Sequence, residues 1–106
     1  MFYEFSLDKE YANQSFYAKV NGHTLFFRFS TFRDITYADI EMDGVQIVGG
    51  MRVTQDRYLI PQRYEDEIGG NIFFATTGDR YPIYHDFDGV KTILLFDGDI
   101  AEIENA

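Results

Sequence analysis

The sequence contains no cysteine and no tryptophan, and only two of its 106 residues are proline. Without cysteine, the chain cannot form a disulfide framework, a thiolate zinc site or a cysteine nucleophile, and its composition fits a reducing compartment. No apolar run approaches the roughly 20 residues of a membrane-spanning helix. Because no basic region precedes an apolar stretch after Met1, we expect no secretory signal.

Basic residues are also scarce, since nine Lys and Arg oppose eighteen Asp and Glu, for a formal charge of -9. Binding to a phosphate backbone requires clustered Lys and Arg, so we expect no specific binding of nucleic acid. Six acidic residues and one basic residue lie within residues 86–106. We interpret this acidic end as solvated surface, with docking onto a basic ring or repulsion of DNA as functional alternatives.

Aromatic and apolar residues are abundant by comparison. The chain has 8 Tyr and 11 Phe, and 45% of its residues are hydrophobic. This composition excludes a disordered chain. The length fits one domain with one modest core.

The hydrophobic pattern repeats every two residues, which is typical of half-buried strands. Residues 14–20 and 23–32 alternate in this way, and Asn21-Gly22 between them suits a type I′ hairpin turn. A second hairpin is predicted from residues 37–42 and 45–48 around Asp43-Gly44, with a bulge at Gly49-Gly50.

Residues 71–75 and 91–96 complete the predicted strands. Short strands with turns and no long helix indicate an all-β fold, a small single-domain antiparallel barrel or sandwich. We predict one β domain over residues 1–99 and an acidic C-terminal tail over residues 100–106, frayed unless a neighbour holds it.

Residues 55–70 lack this alternation, and Pro61 disfavours helix at the residue before it. We therefore predict one irregular structured loop here, with a single helical turn. Aromatic and basic side chains alternate in the loop, and Tyr and Arg are enriched at interface hot spots. The predicted partner-binding residues are Arg57, Tyr58, Arg63 and Tyr64.

Other interpretations of the Tyr and Arg residues stay open. Arg80-Tyr81 continues the interleaving, and such mixtures also bind single-stranded nucleic acid. Against that interpretation stands the net charge. The simplest alternative is that the tyrosines pack in the core while the arginines pair with nearby acids. A small β module that binds a carbohydrate or another small ligand on its aromatic rings is a further hypothesis.

Catalytic and metal-binding patterns are weak. His85-Asp86 are neighbours, but adjacent residues of an extended chain point to opposite faces. His23 follows a turn. The Asp-rich fragments at residues 86–89 and 97–99 lack the remaining ligands of a calcium loop, and turn chemistry explains them. We therefore predict no enzyme, no catalytic residue, no metal site and no cofactor.

An ordered series of short motifs spans residues 3–96, although each motif alone is common in β proteins. In chain order the motifs are Tyr3-Glu4-Phe5-Ser6-Leu7, Asn13-Gln14-Ser15-Phe16, Val20-Asn21-Gly22, Asp39-Ile40, Asp43-Gly44-Val45-Gln46-Ile47-Val48-Gly49-Gly50, Leu59-Ile60-Pro61-Gln62-Arg63-Tyr64, Gly69-Gly70-Asn71-Ile72, Tyr84-His85-Asp86-Phe87-Asp88-Gly89 and Thr92-Ile93-Leu94-Leu95-Phe96. The series resembles the baseplate plug family of tailed bacteriophages, described for a cyanophage baseplate. Gln46 stands where many members have Pro, and residues 80–84 replace an acidic, Pro-rich run.

The resemblance implies a structural virion protein at the distal end of a phage or phage-like tail. Such a protein helps to close or organise the central channel through contacts with hub, tube or tape-measure proteins. It implies assembly in the host bacterial cytoplasm. The lack of a long apolar run separately predicts no membrane association. The resemblance leaves open whether the chain forms a homo-oligomer in the assembled tail.

Overall fold

The computed structural model describes residues 2–76, 82, 84, 87 and 92–98, and only the backbone of residues 103–105. These residues contain eight strands and one helix. The elements are β1 (Phe2–Phe5), β2 (Asn13–Val20), β3 (His23–Phe32), β4 (Ile35–Met42), β5 (Val45–Arg52), α1 (Gln62–Ile68), β6 (Gly70–Thr76), β7 (Thr92–Gly98) and β8 (Ile103–Asn105).

The strands form two antiparallel sheets, which confirms the predicted all-β class. The small sheet has the order β1-β7-β6, and the large sheet has the order β5-β4-β3-β2-β8. Over the described residues no strand joins the two sheets into a closed barrel, so a sandwich is the predicted alternative that fits. In the same residues, no helix has the length and apolar character needed to cross a bilayer.

Both predicted hairpins are present. Asn21 and Gly22 have φ angles of 52° and 85°, and Asp43 and Gly44 have φ angles of 52° and 84°. Two successive positive φ angles are the requirement of a type I′ turn, which matches the twist of the flanking strands. The bulge is also confirmed, because the β4–β5 register shifts in the part of β5 that contains the two glycines.

The core lies between the inner faces of the two sheets. Phe5 of the small sheet lies 5.8 Å from Phe27 of the large sheet, measured between ring centroids. Phe29 and Phe74 make a second contact between the sheets at 5.1 Å, with their rings nearly perpendicular. These four side chains are almost fully buried. The alternating aromatic residues therefore supply the apolar surface that holds the sheets together.

The predicted loop over residues 55–70 contains more helix than expected. Its single turn is the seven-residue helix α1, which follows Pro61 and ends at Gly69. Gly69 has a φ of 85°, and its N–H donates to the carbonyl of Glu65. A left-handed glycine after the last turn satisfies a helix-end carbonyl at low steric cost. The helix ends there, and β6 follows immediately.

One buried amide fixes this segment to the small sheet. The Oδ1 atom of Asn71 accepts the backbone N–H of Ile60 at 2.8 Å, and its Nδ2 atom donates to the Ile60 carbonyl at 2.7 Å. Asn71 is only 1% exposed. The side chain thus replaces a strand partner for the backbone of Ile60 just before the helix.

Removal of this amide is expected to destabilise the fold. Asn71→Ala leaves the buried N–H and carbonyl of Ile60 without partners, so we expect a loss of about 1–3 kcal/mol in the free energy of unfolding. Urea-induced unfolding measures this loss. Asn13→Ala is the control, because Asn13 is an exposed strand residue. Equal losses in the two variants would contradict the assigned role.

Two strands were not predicted from the sequence. β1 has four residues and pairs with β7, with Phe2 opposite Asp97 and Phe5 opposite Leu94. β8 lies within residues 100–106, and its backbone pairs with β2 from Ala18 to Val20. Segments this short carry too little alternation to be assigned from periodicity.

Candidate functional site

The outer face of the small sheet carries aromatic and apolar side chains that are exposed or half-buried. Phe2 lies opposite Asp97 in the register, and Leu95 lies opposite Phe73. Cross-strand partners share a face, so these four side chains point away from the core. Phe2 is 62% exposed. Large apolar side chains at such positions contribute little to the core of the isolated chain.

Tyr58 joins this face from the loop before the helix. The backbone N–H of Leu59 donates to the Ile72 carbonyl at 3.0 Å, which holds the loop along the edge of β6. The ring of Tyr58 then meets Phe73 edge-on, with 5.7 Å between centroids. Phe2 meets Phe73 in the same way at 6.2 Å. We call Phe2, Phe73 and Tyr58, with Leu95, the aromatic face.

Acidic groups lie at the margin of the aromatic face. Tyr58 donates its phenolic O–H to Oδ2 of Asp97 at 2.8 Å. The same two residues line an open cleft of about 380 Å³ together with Glu65 and Asp66. Among the described strand positions of this face, Glu4 and Asp97 are charged and none is basic. The face therefore combines an apolar centre with a negative rim.

The hydrogen bond to Asp97 raises the pKa of Tyr58 above 10.0, with smaller contributions from desolvation and from the charges of Asp97 and Glu65. The folded-state pKa exceeds the unfolded value, so this contribution to stability is complete below pH 10 and is lost as the pH rises through the folded pKa. We expect Asp97→Asn to lower the pH midpoint at which the NMR signals of the Tyr58 ring titrate.

Glu4→Gln is the control for this titration, because Glu4 lies on the same face but is not among the groups that shift Tyr58. The control is expected to leave the Tyr58 midpoint where it is in the unsubstituted chain. An unchanged midpoint in Asp97→Asn would show that the hydrogen bond does not hold the phenol in its protonated form.

Comparison with known families decides what kind of protein carries this face. A family model described as "Cyanophage baseplate Pam3 plug gp18" matches residues 2–100. The chain belongs to this baseplate plug family. The match confirms the resemblance found in the motif order, and it supports a structural role in the baseplate of a virion tail. No curated protein matches the chain.

The four predicted partner-binding residues of this plug-family chain lie in different surroundings. Tyr58 belongs to the aromatic face, and Arg57 beside it is exposed. Tyr64 is half-buried and packs against the core. The guanidinium of exposed Arg63 lies 4.7 Å from the centre of the Tyr64 ring. Arg63 and Tyr64 thus form a helix pair with contacts different from those of Tyr58, and their role in partner binding stays a prediction.

The sequence did not identify three residues of the aromatic face, Phe2, Phe73 and Leu95, or Asp97 at its margin. One signal was available for Phe73. Phe73 and Phe74 are adjacent in a strand, so one of the two rings must point away from the core. No comparable signal marked Phe2 or Asp97, because their position on this face depends on the pairing of β1 with β7, two strands far apart in the sequence.

The candidate chemical groups have structural roles where they are described. Nδ1 of His23 lies 2.8 Å from Oδ2 of Asp43, and Oδ1 of Asp43 accepts the backbone N–H of Thr24. The hydrogen bond with His23, and then that with Thr24, lowers the pKa of Asp43. These contacts join the turns of the two hairpins.

The remaining candidates are only partly covered by the structure. Residues 80, 81, 85, 86, 88, 89 and 99 lie outside the described residues. Asp97, from the second acidic fragment, is the hydrogen-bond acceptor of Tyr58. Within the described part of the chain, no three His, Asp or Glu side chains are grouped so as to hold a metal ion.

Proposed function

We propose that the chain acts in a phage or phage-like tail as a baseplate plug or hub-associated component, held in place by protein–protein contacts of the aromatic face. The observation that carries this proposal is the exposure of that face. Phe2 is 62% exposed and Tyr58 is 48% exposed, and both contact Phe73. A contiguous exposed apolar patch is typical of an interaction site, and aromatic anchors dominate the energy of such sites.

The partner is another tail or baseplate protein, from the hub, the tube or the tape measure. Its docking surface has an apolar centre and a basic rim, because the aromatic face is bordered by Glu4, Asp97, Glu65 and Asp66. Opposite charges around an apolar centre set the orientation of docking and exclude like-charged surfaces. Arg63 and Tyr64 form a second contact on the helix side.

The proposed role is structural and not enzymatic, and it requires no cofactor. The chain is assembled into the tail in the host bacterial cytoplasm. A chain of net charge -9 does not adhere to DNA in the tail channel. Repulsion between like charges also favours passage of DNA once the plug has been displaced.

Purified particles test the proposed location. Phage or tail particles made from a genome that encodes the chain are expected to contain it, and a small epitope label should mark the distal end of the tail. Mass spectrometry and electron microscopy of the same preparation give the two readouts. Absence of the chain from purified particles, or a label along the tube or at the head, would contradict the proposal.

A further inference from the structure

The edge of β2 is only partly occupied. β3 pairs with all eight residues of β2, from Asn13 to Val20. On the other side, β8 pairs with Ala18 to Val20 alone. In the described residues no strand pairs with the remaining five, 13–17, on that side. Five residues of strand are about 17 Å long, so a short extended peptide fits along this stretch.

A cavity opens at the same place. It has a volume of about 640 Å³, and its lining includes Phe5, Leu7, Phe16 and Leu94 together with the edge residues Gln14 and Ser15. β1 ends opposite Leu94, so Thr92 and Ile93 of β7 extend past it and also line the cavity. The cavity thus lies between the two sheets, at a point where β2 extends beyond β8 and β7 extends beyond β1.

Thr92 supplies the observation that points to an occupant. It is 2% exposed and lines the cavity. Its Oγ1 atom has no hydrogen-bond partner. Among the described residues, it is the one buried side-chain nitrogen or oxygen atom without such a partner. A buried hydroxyl without a partner costs free energy that a bound polar group recovers. The volume is in the range of ligand sites and far exceeds that of a single water molecule.

We call the unpaired edge of β2, residues 13–17, together with the adjoining cavity, the slot. We propose that the slot binds an extended segment of a neighbouring tail protein, which adds to the edge of β2 in line with β8. The proposal rests on the proposed function for the source of the segment, and it uses a surface distinct from the aromatic face. Strand addition takes its affinity from main-chain hydrogen bonds and its specificity from alternate side chains in pockets. β8 already shows that this edge accepts a strand in the antiparallel direction.

The register defines the chemistry of the segment. Phe16 and Gln14 share the inner face of β2 with buried Ala18, so residues of the segment opposite them point into the cavity. The cavity lining combines apolar side chains, Phe16 among them, with polar and charged ones that include Glu4, Asp8 and Lys9. We therefore expect an apolar residue of the segment opposite Phe16. One inward hydrogen-bonding group of the segment is the partner of the Thr92 hydroxyl.

An extension of the chain tests whether the slot accepts a strand. Val-Thr-Val-Thr added after Ala106 continues the β8 register and places its two valines opposite Phe16 and Gln14. The matched control is Thr-Val-Thr-Val, which places the valines on the outer face. We expect the first extension to raise Tm by about 5 °C or more relative to the control, with slower hydrogen exchange at residues 13–17.

The same pair of extensions tests the occupant. A tethered strand competes at high effective concentration, so the in-register extension is expected to reduce incorporation into tails by about tenfold relative to the shifted control. Equal Tm values for the in-register extension and the shifted control would show that the slot does not accept a strand. A raised Tm with unchanged incorporation into tails would show that the occupant is not a segment of a tail protein. The same conclusion would follow if the unextended chain formed a dimer that the in-register extension dissociates and the shifted control does not.

Thr92→Val provides a second test. The substitution removes the unsatisfied hydroxyl at nearly constant shape, so it is expected to leave the Tm of the unextended chain unchanged or higher and to weaken incorporation into tails. A lower Tm would show that the hydroxyl has an internal structural role and would overturn its assignment to the segment. These results are separable from failure of the aromatic face, because Phe2 and Tyr58 are intact in every variant.

Discussion

Phe2→Glu is expected to prevent stable incorporation of the chain into the baseplate while the fold stays intact. Loss of a hot-spot aromatic residue costs about 2 kcal/mol or more, which corresponds to at least a roughly 30-fold loss of affinity. The introduced carboxylate also adds to the negative rim formed by Glu4 and Asp97, so the basic rim proposed for the partner does not compensate for the lost ring. The amount of chain in purified tails, measured against wild type, gives the result.

Phe32→Glu is the matched control for this prediction. Phe32 is 65% exposed, close to the 62% of Phe2, but it lies on β3 in the large sheet. Both substitutions replace an exposed aromatic residue, and each is expected to change the free energy of unfolding by about 0.5 kcal/mol or less. If the two variants were incorporated equally well, the docking surface would not be the aromatic face.

Phe74→Ala is expected to have the largest effect on stability. Phe74 is fully buried, and its ring lies 5.1 Å from Phe29 of the large sheet and 5.5 Å from Phe87. Truncation removes a contact between the sheets and leaves a cavity, at a cost of about 3–5 kcal/mol. Total stabilities of such domains are about 5–15 kcal/mol, so this is a large part of the whole. We expect the midpoint of thermal unfolding to fall by about 12 °C or more.

The adjacent residue provides the control for this change. Phe73→Ala removes the same atoms from the outer face, where the ring contacts Phe2 and Tyr58. We expect it to destabilise the fold far less than Phe74→Ala, and to reduce incorporation into tails. If the two variants were equally destabilised, the assignment of inner and outer faces of β6 would be wrong.

The hairpins could be predicted from the sequence because their information is local. Asn21-Gly22 and Asp43-Gly44 encode turns with two positive φ angles, and the flanking residues alternate without interruption. The small sheet is different. β1 and β7 pair Phe2 with Asp97 across almost the whole chain, and no local pattern specifies such a pairing.

The sequence contains boundary signals for the helix α1, although the helix is too short to show a helical hydrophobic period. α1 buries Ile68 and half-buries Tyr64, and two such residues do not define a helical stripe. Pro61 before the helix and Gly69 after it are the expected boundary residues. Greater weight on these boundaries would have predicted the helix in place of a single turn.

The candidate site was predictable only in part for the same physical reason. Tyr58 was identified from its residue type, but its contacts with Phe73 and Asp97 depend on how the loop lies along β6. The centre of the strand over residues 70–76, at residues 72–75, is apolar on both faces. Its sequence therefore does not specify whether Phe73 or Phe74 packs against the large sheet, and only the tertiary structure separates the docking ring from the core ring.

Site-specific photo-crosslinking in assembled tails tests the central claim most directly. A photoreactive phenylalanine analogue at Phe2 probes the aromatic face, and the same analogue at Phe32 probes the large sheet at a similar exposure. The account predicts a crosslink from position 2 to another baseplate or tail protein. Crosslinks to such a protein from position 32, with none from position 2, would contradict it.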